Sequence, residues 1–195
     1  ALSVVMLTCI GVLVGTLAGY LGGKIDDLLM RVTEFFMVIP RLFLALFLVA
    51  LFGPSIRNVI IVIGMLSWPN TARLIRAAFL SLREQPFVEG LKAVGVNDFR
   101  IMFGEILPNA STPIVVNSSL ETARAILLEA FLSFLGAGDP NMMSLGYMLN
   151  SAQRFLRTAW WMALFPGISV SLLVIGLNLI GDGLNEALSP RLRRM

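Results

Sequence analysis

The sequence predicts an all-α fold, a polytopic bundle of membrane-spanning helices. Three observations carry this. Of the 195 residues 57% are hydrophobic and 14% charged, against about 45–50% and about 25% in soluble domains, so the chain has too little polar surface to cover itself in water. Mean hydropathy is +0.84. The apolar residues fall in runs close to the ~20 that a helix needs to cross a bilayer, separated by Gly, Pro and charged turns, and no stretch alternates as a strand would. The length suits one bundle-sized domain over 1–195.

Five spans follow in order. The first runs from Ala1 to about Gly22, with no charge before Lys24, and ends in Gly-Gly and the polar turn Lys24-Ile-Asp26-Asp27. It lacks the basic start and the cleavage pattern of a signal peptide. The second covers about Val32 to Phe52, interrupted by Pro40-Arg41 and closed at Gly53-Pro54-Ser55. The third reaches from near Asn58 to about Leu80 across Trp68-Pro69-Asn70, the fourth from about Thr112 to Leu135, the fifth from about Trp161 to Leu179. Residues 81–109 and 136–160 form the two long connections.

Lys and Arg in short loops set orientation. One side collects Lys24, Arg31, Arg73, Arg76, Arg83, Lys92, Arg100, Arg191, Arg193 and Arg194; the other has Arg57, Arg154 and Arg157. The 81–109 loop and the C-terminus are therefore expected in the cytoplasm. Five spans then place Ala1 outside, and a chain opening in an apolar run implies a further helix before it. The pI near 9.6 adds nothing, because the same bias raises it.

Composition also excludes chemistry. There is no histidine, and one cysteine, Cys9, cannot form an internal disulfide or a thiolate metal cluster. No GxxxxGK[ST], GxSxG or HExxH occurs, so the chain is expected to be no enzyme, to hold no metal or cofactor and to cradle no ATP itself. Asn117-Ser-Ser119 resembles a glycosylation site but falls inside a span. Trp160-Trp161 reads as an interface anchor.

Two features inside the spans invite a functional reading. Gly11, Gly15, Gly19 and Gly23 recur every four residues, and small residues at that spacing let helix backbones approach closely; such a face either packs statically or slides. Glu121, Arg124 and Glu129 lie within the fourth span, where a charge is costly unless paired or wetted. Glu121 and Arg124 are i,i+3 neighbours that can pair; the cluster either fixes register or lines a translocation pathway. Glu34 and Arg41, seven apart in the second span, admit the same two readings. Pro40, Pro69 and Pro166 suit moving and static bundles alike.

The long cytoplasmic connection is the most informative segment. Phe87, Leu91 and Val94 recur at i, i+4, i+7, the mark of a short amphipathic helix. Gly95 breaks it, Asn97-Asp98 offers a cap, and Phe99, Met102, Phe103 and Ile106 make a second apolar stripe before Leu107-Pro108. Such an element docks a soluble partner or lies on the bilayer.

In this segment Glu89, the Gly95 six residues on and the Leu107-Pro108 twelve beyond it resemble the EAA signature of binding-protein-dependent ABC importer permeases. Trp68-Pro69 with Ala72-Arg73-Leu74, the run Glu129 to Gly136-Ala-Gly138, Ala159 to Pro166-Gly167, and Gly181-Asp182-Gly183-Leu184 through Pro190-Arg191 look like the second permease of the dipeptide, oligopeptide and nickel branch. Gly90 and Leu91 depart from the two small residues usual after the signature Glu, Glu105 stands where the branch often has His, and Leu145-Gly146 replaces a frequent Trp-Gly. The resemblance implies an importer of a peptide-like solute in the cell's inner membrane, built with a second permease subunit, two cytoplasmic ATPase subunits that bind ATP and Mg, and an extracytoplasmic solute-binding protein, with no role for nucleic acid. It assigns Phe87, Glu89, Gly90, Gly95, Phe99, Leu107 and Pro108 to ATPase coupling. The rival readings are a secondary transporter or channel without an ATPase, which leaves the docking loop unexplained, and an intramembrane enzyme, which lacks its catalytic groups.

Overall fold

The computed structural model describes residues 2–188, and every regular element among them is helical. The arginines at 191, 193 and 194, and Pro190-Arg191, lie outside the described residues. Helix α1 (Leu2–Leu21) is followed after one residue by α2 (Gly23–Val38), then α3 (Arg41–Phe52) and α4 (Ile56–Arg83). A short α5 (Pro86–Ala93) leads into a composite helix: α6 (Asp98–Arg100), a π-helical stretch over Ile101–Ile106 and α7 (Leu107–Asn109). Helix α8 (Ser111–Phe134), the short α9 (Leu145–Ala152) with a 3-10 turn over Gln153–Phe155, and α10 (Trp161–Leu188) complete the chain.

Three of these helices, α1, α4 and α10, are long and apolar enough to cross a membrane. Helix α8, at 24 residues, has the length but carries Glu121, Arg124 and Glu129 within it. The single span expected over 32–52 is instead two helices bent by 83°. The cause is local: Pro40 lacks an N–H and pushes the residue before it out of the helical region, and Ile39 is extended, with φ −81° and ψ 126°. Helix α3, at 12 residues, is about 18 Å long, short of the ~30 Å hydrocarbon core. Pro69 and Pro166 lie inside continuous helices.

Helices α1 and α4 form the centre and run parallel. A Cβ added to Gly11 would meet Thr71 Cβ at 2.5 Å, to Gly15 the Ala72 carbonyl at 2.5 Å, and to Gly19 the Phe79 Cβ at 2.6 Å. Partners and glycines thus advance together along both helices. The backbones touch because no side chain stands between them, and in lipid such packing is a main source of helix association. Gly23 does not share this face, contrary to the four-residue spacing. It sits past the Leu21 end of α1 with φ +53°, and nothing lies within 4 Å of its missing Cβ. The seam is extended by Gly64 against Met6, and it is flanked by apolar clusters around Leu7, Trp68 and Ala72 and around Tyr20, Ile75 and Phe79.

Helix α8 packs antiparallel to this pair, held by polar bonds that lipid cannot replace: Asn117 Nδ2 donates to Thr71 Oγ1 at 2.9 Å, and the Thr8 and Ser118 hydroxyls lie 3.2 Å apart. Helix α10 packs on α8 near Gly181 and Leu120. At the opposite end from Tyr20, Asp139 reaches from the 136–144 connection to accept the Ile56 N–H at 3.0 Å and the Asn141 N–H at 2.9 Å. Ser55, at the start of α4, provides no side-chain cap of its own, so Asp139 satisfies one of the donors that a helix start leaves free. Those two N–H bonds hold the Asp139 carboxyl below its ordinary range.

Candidate functional site

The segment between α4 and α8 forms one end of the bundle. Pro86 starts α5 with the fixed φ that a first helical turn accepts. Gly95 ends it: the Val96 N–H reaches the Leu91 carbonyl and the Gly95 N–H the Lys92 carbonyl, both at 3.0 Å, a Schellman turn whose C′ residue must take positive φ. Gly95 does so at +78°. Asn97 Oδ1 accepts the Phe99 N–H at 2.9 Å and caps the next helix, where the chain places Asn97-Asp98 as a cap.

The apolar faces differ from the simple stripe. Val88 is the α5 residue that turns inward, with Leu91 half-buried beside it. Phe87, at 39% exposure, and Val94, at 76%, face out. In the second stripe Met102 and Ile106 are buried together with Ile101, whereas Phe99 is exposed and stacks against half-buried Phe103 at 4.7 Å between ring centroids. The π-helical stretch, closed by the Leu107 N–H reaching back to the Met102 carbonyl, brings Ile101, Met102 and Ile106 onto the core. The segment is therefore anchored by one apolar side and shows Phe87, Val94 and Phe99 on its outer surface. Glu89 and Gly90 are exposed in α5, Pro108 is exposed in α7, and Leu107 packs against the core cluster.

Tyr20, which the sequence reading does not single out, is where this segment meets α1. Its hydroxyl donates to Asp98 Oδ1 at 2.5 Å, the Lys92 ammonium lies 5.3 Å above its ring, and Arg83 Nη1 donates to its carbonyl at 2.9 Å. Nearby, Arg76 binds Asp26 bidentately, Nε to Oδ1 at 2.5 Å and Nη2 to Oδ2 at 2.6 Å, and ties α2 to α4. No short-range pattern signals either contact, since the partners lie 78 and 50 residues apart.

A second group of charges lies within the bundle. Glu121 is fully buried. Arg124 Nη1 donates to its Oε1 at 2.6 Å, and Arg41 Nη1 stands 3.8 Å from Oε2, an ion-pair distance without a hydrogen bond. Arg41 thus turns across to α8, away from Glu34, which is exposed in α2. Glu129 stands apart from this trio: its Oε1 accepts the Ser133 hydroxyl at 2.7 Å, and it borders a cavity of about 280 Å³ between α1, α4 and α8. No group of His, Cys, Asp or Glu among the described residues could hold a metal ion.

Residues 11–194 match the model of the binding-protein-dependent transport system inner membrane component. The chain belongs to this family. Among relatives of the family member, a dipeptide transport system permease protein of Alkalihalophilus pseudofirmus is 42% identical over 94% of this chain and 60% of its own length. A di/tripeptide transport system permease protein of Pseudomonas aeruginosa is 38% identical over 98% and 63%, and a glutathione transport system permease protein of Pectobacterium atrosepticum 38% over 98% and 64%. The family member thus spans a little under two thirds of the length of these relatives. A chain of the MetNI methionine ABC transporter, in an inward-facing conformation, shares the fold with a TM-score of 0.77 at 18% identity, over 96% of this chain and 89% of that one.

Proposed function

We propose that this chain is the transmembrane subunit of an ATP-driven importer, forming half of the pathway for a peptide-like solute. A second permease subunit supplies the other half, an extracytoplasmic binding protein delivers the solute, and two cytoplasmic ATPase subunits bind ATP and Mg and dock on the 81–109 segment. The observation that carries this reading is the outward display of Phe87, Val94 and Phe99 around the Gly95 turn, on a segment whose other side is rooted in the bundle. The relatives named as dipeptide permeases support the solute class.

Within this reading Glu89, Gly90 and Gly95 shape the surface that the ATPase receives, with Leu107 and Pro108 returning the chain to α8. Gly11, Gly15 and Gly19 hold α1 on α4. Glu121, Arg124 and Glu129 lie along α8 and are assigned to the pathway, where Arg41 joins them. In this reading the 81–109 segment and the C-terminus belong to the cytoplasmic side.

Cross-linking tests the docking. In a Cys9→Ser background of the full-length permease, V94C should cross-link to the ATPase, and M143C, on the outer connection at 81% exposure, should not. An ATPase-free complex that still takes up dipeptides would establish the channel or secondary-transporter reading instead.

A further inference from the structure

Four contacts from three different elements converge on Tyr20, the penultimate residue of α1. Asp98 of α6 accepts its hydroxyl, Lys92 of α5 covers its ring, Arg83 of α4 binds its carbonyl, and its flanks pack among Ile75, Phe79, Val88 and Ile101. Tyr20 is 5% exposed and Asp98 reaches it from the exposed outer surface, so the phenol's own side of the bond is closed to water, and a hydrogen bond to a carboxylate is about twice as strong as a neutral one. Asp98 and Lys92 flank the Gly95 turn on either side. One aromatic residue of a membrane helix therefore grips both halves of the docking segment.

We propose that Tyr20 is the positioning residue through which displacement of the docking segment moves the membrane helices. This rests on the assignment of 86–109 as the ATPase-docking element. The physical argument has two steps. Shifting α5 and α6 relative to α1 would strip the Tyr20 hydroxyl of its acceptor and the Lys92 ammonium of its aromatic face, both of which cost free energy. Because Gly11, Gly15 and Gly19 leave no slack between α1 and α4, whatever moves the end of α1 carries α4 with it. The segment, α1 and α4 then travel as one body, and a pull from a docked partner reaches the centre of the bundle instead of bending a loose connection.

The test uses the complete transporter, full-length permease with its partner subunits, in proteoliposomes. The quantity read is solute taken up per ATP hydrolysed, which loss of folded complex does not change. Tyr20→Phe removes the hydroxyl and keeps the ring, and should lower that ratio about tenfold, the factor expected for one charge-assisted hydrogen bond. Asp98→Ala should match it, the double variant should fall no further, and Asp98→Asn, which keeps an acceptor oxygen, should restore most of the ratio. An unchanged ratio in Tyr20→Phe, including one where uptake and hydrolysis fall together with the amount of complex, overturns the proposal. So does a double variant whose loss is the product of the two singles. Absence of the V94C cross-link in the otherwise wild-type complex overturns the docking assignment first and the role of Tyr20 with it.

Discussion

A charge sealed inside a helical bundle is costly unless an opposite charge stands beside it, and Glu121 has two such neighbours. They are unequal: Arg124 holds it by a direct hydrogen bond, whereas Arg41 stands off at 3.8 Å. Removing either alone leaves one guanidinium in place. Removing both leaves a buried charge uncompensated, a change that costs about 3–5 kcal/mol where it has been measured. Arg41→Ala and Arg124→Ala should therefore each assemble near normally, with uptake reduced for Arg124→Ala, while the double variant loses more thermal stability in detergent than the two singles summed. Additive losses would mean that water already reaches the carboxylate. The Glu121–Arg124 pair was legible in the chain because three residues make a helical neighbour; Arg41 was not, since eighty residues and a helix break separate it from Glu121. The glycine face shows the same limit. Its spacing marks Gly11, Gly15 and Gly19 as small surfaces on one side of α1, yet nothing local names α4 as their partner, and the period carries on to Gly23 only because a repeat cannot register that the helix has ended.

Single elements were readable to the extent that their punctuation was unambiguous. The Gly95 turn and the Asn97 cap depend on residue types that few other conformations favour, and both stand where the chain puts them. Pro40 and Pro69 look alike in sequence, but one separates two helices by 83° and the other passes through α4 unbroken. The difference is tertiary: α4 is gripped by α1 along its length, with Trp68 and Ala72 packed on Leu7, while Phe35, Met37 and Val38, at the end of α2, are exposed. The start of α4 supplies a prediction at this scale. Asp139 lends its carboxylate to the Ile56 N–H, then to Asn141, and both bonds depress its pKa. A depressed carboxyl contributes stability that is complete above its unfolded value of about 3.9 and is lost as pH falls through the folded value. Asp139→Asn should accordingly melt below wild type at pH 7, and the gap should close as the pH is taken below that of an ordinary carboxylate. A gap independent of pH would show that the ionised form is not what caps α4.

Taken whole, the molecule has two chemically distinct ends and an apolar flank. Tyr20, Asp26, Arg76, Arg83, Lys92 and Asp98 gather at one end; Ile56, Asp139 and the α9 connection close the other. Most of α10 is exposed along its length, and Phe43, Phe47 and Leu51 form an outward row on α3, surface suited to lipid or to an apolar subunit. Among the described residues Arg76, Arg83 and Lys92, which belong to the basic side of the chain, lie at the Tyr20 end, so V94C should react with a membrane-impermeant maleimide only from the cytoplasmic face and M143C only from the opposite one. Labelling of both from one side would refute the orientation. Overall helix content and the class of fold were plain in composition, because lipid leaves a chain few options. The angle at Pro40, the parallel seating of α1 on α4 and the convergence on Tyr20 were not, because each is decided by residues distant in the chain.

The seam between α1 and α4 has a consequence for how the protein is made. Asp26 is synthesised fifty residues before Arg76, and the glycine groove of α1 still earlier than the helix that fills it. At about 5–20 residues per second the ribosome leaves both waiting for several seconds, with α2 and α3 delivered in between. The central contact of the bundle thus becomes possible only after α2 and α3 have been delivered, though before α8 and α10 exist, and a nascent chain released before Arg76 carries an open groove and an unanswered carboxylate, which are the marks by which a membrane protease could recognise it as unfinished.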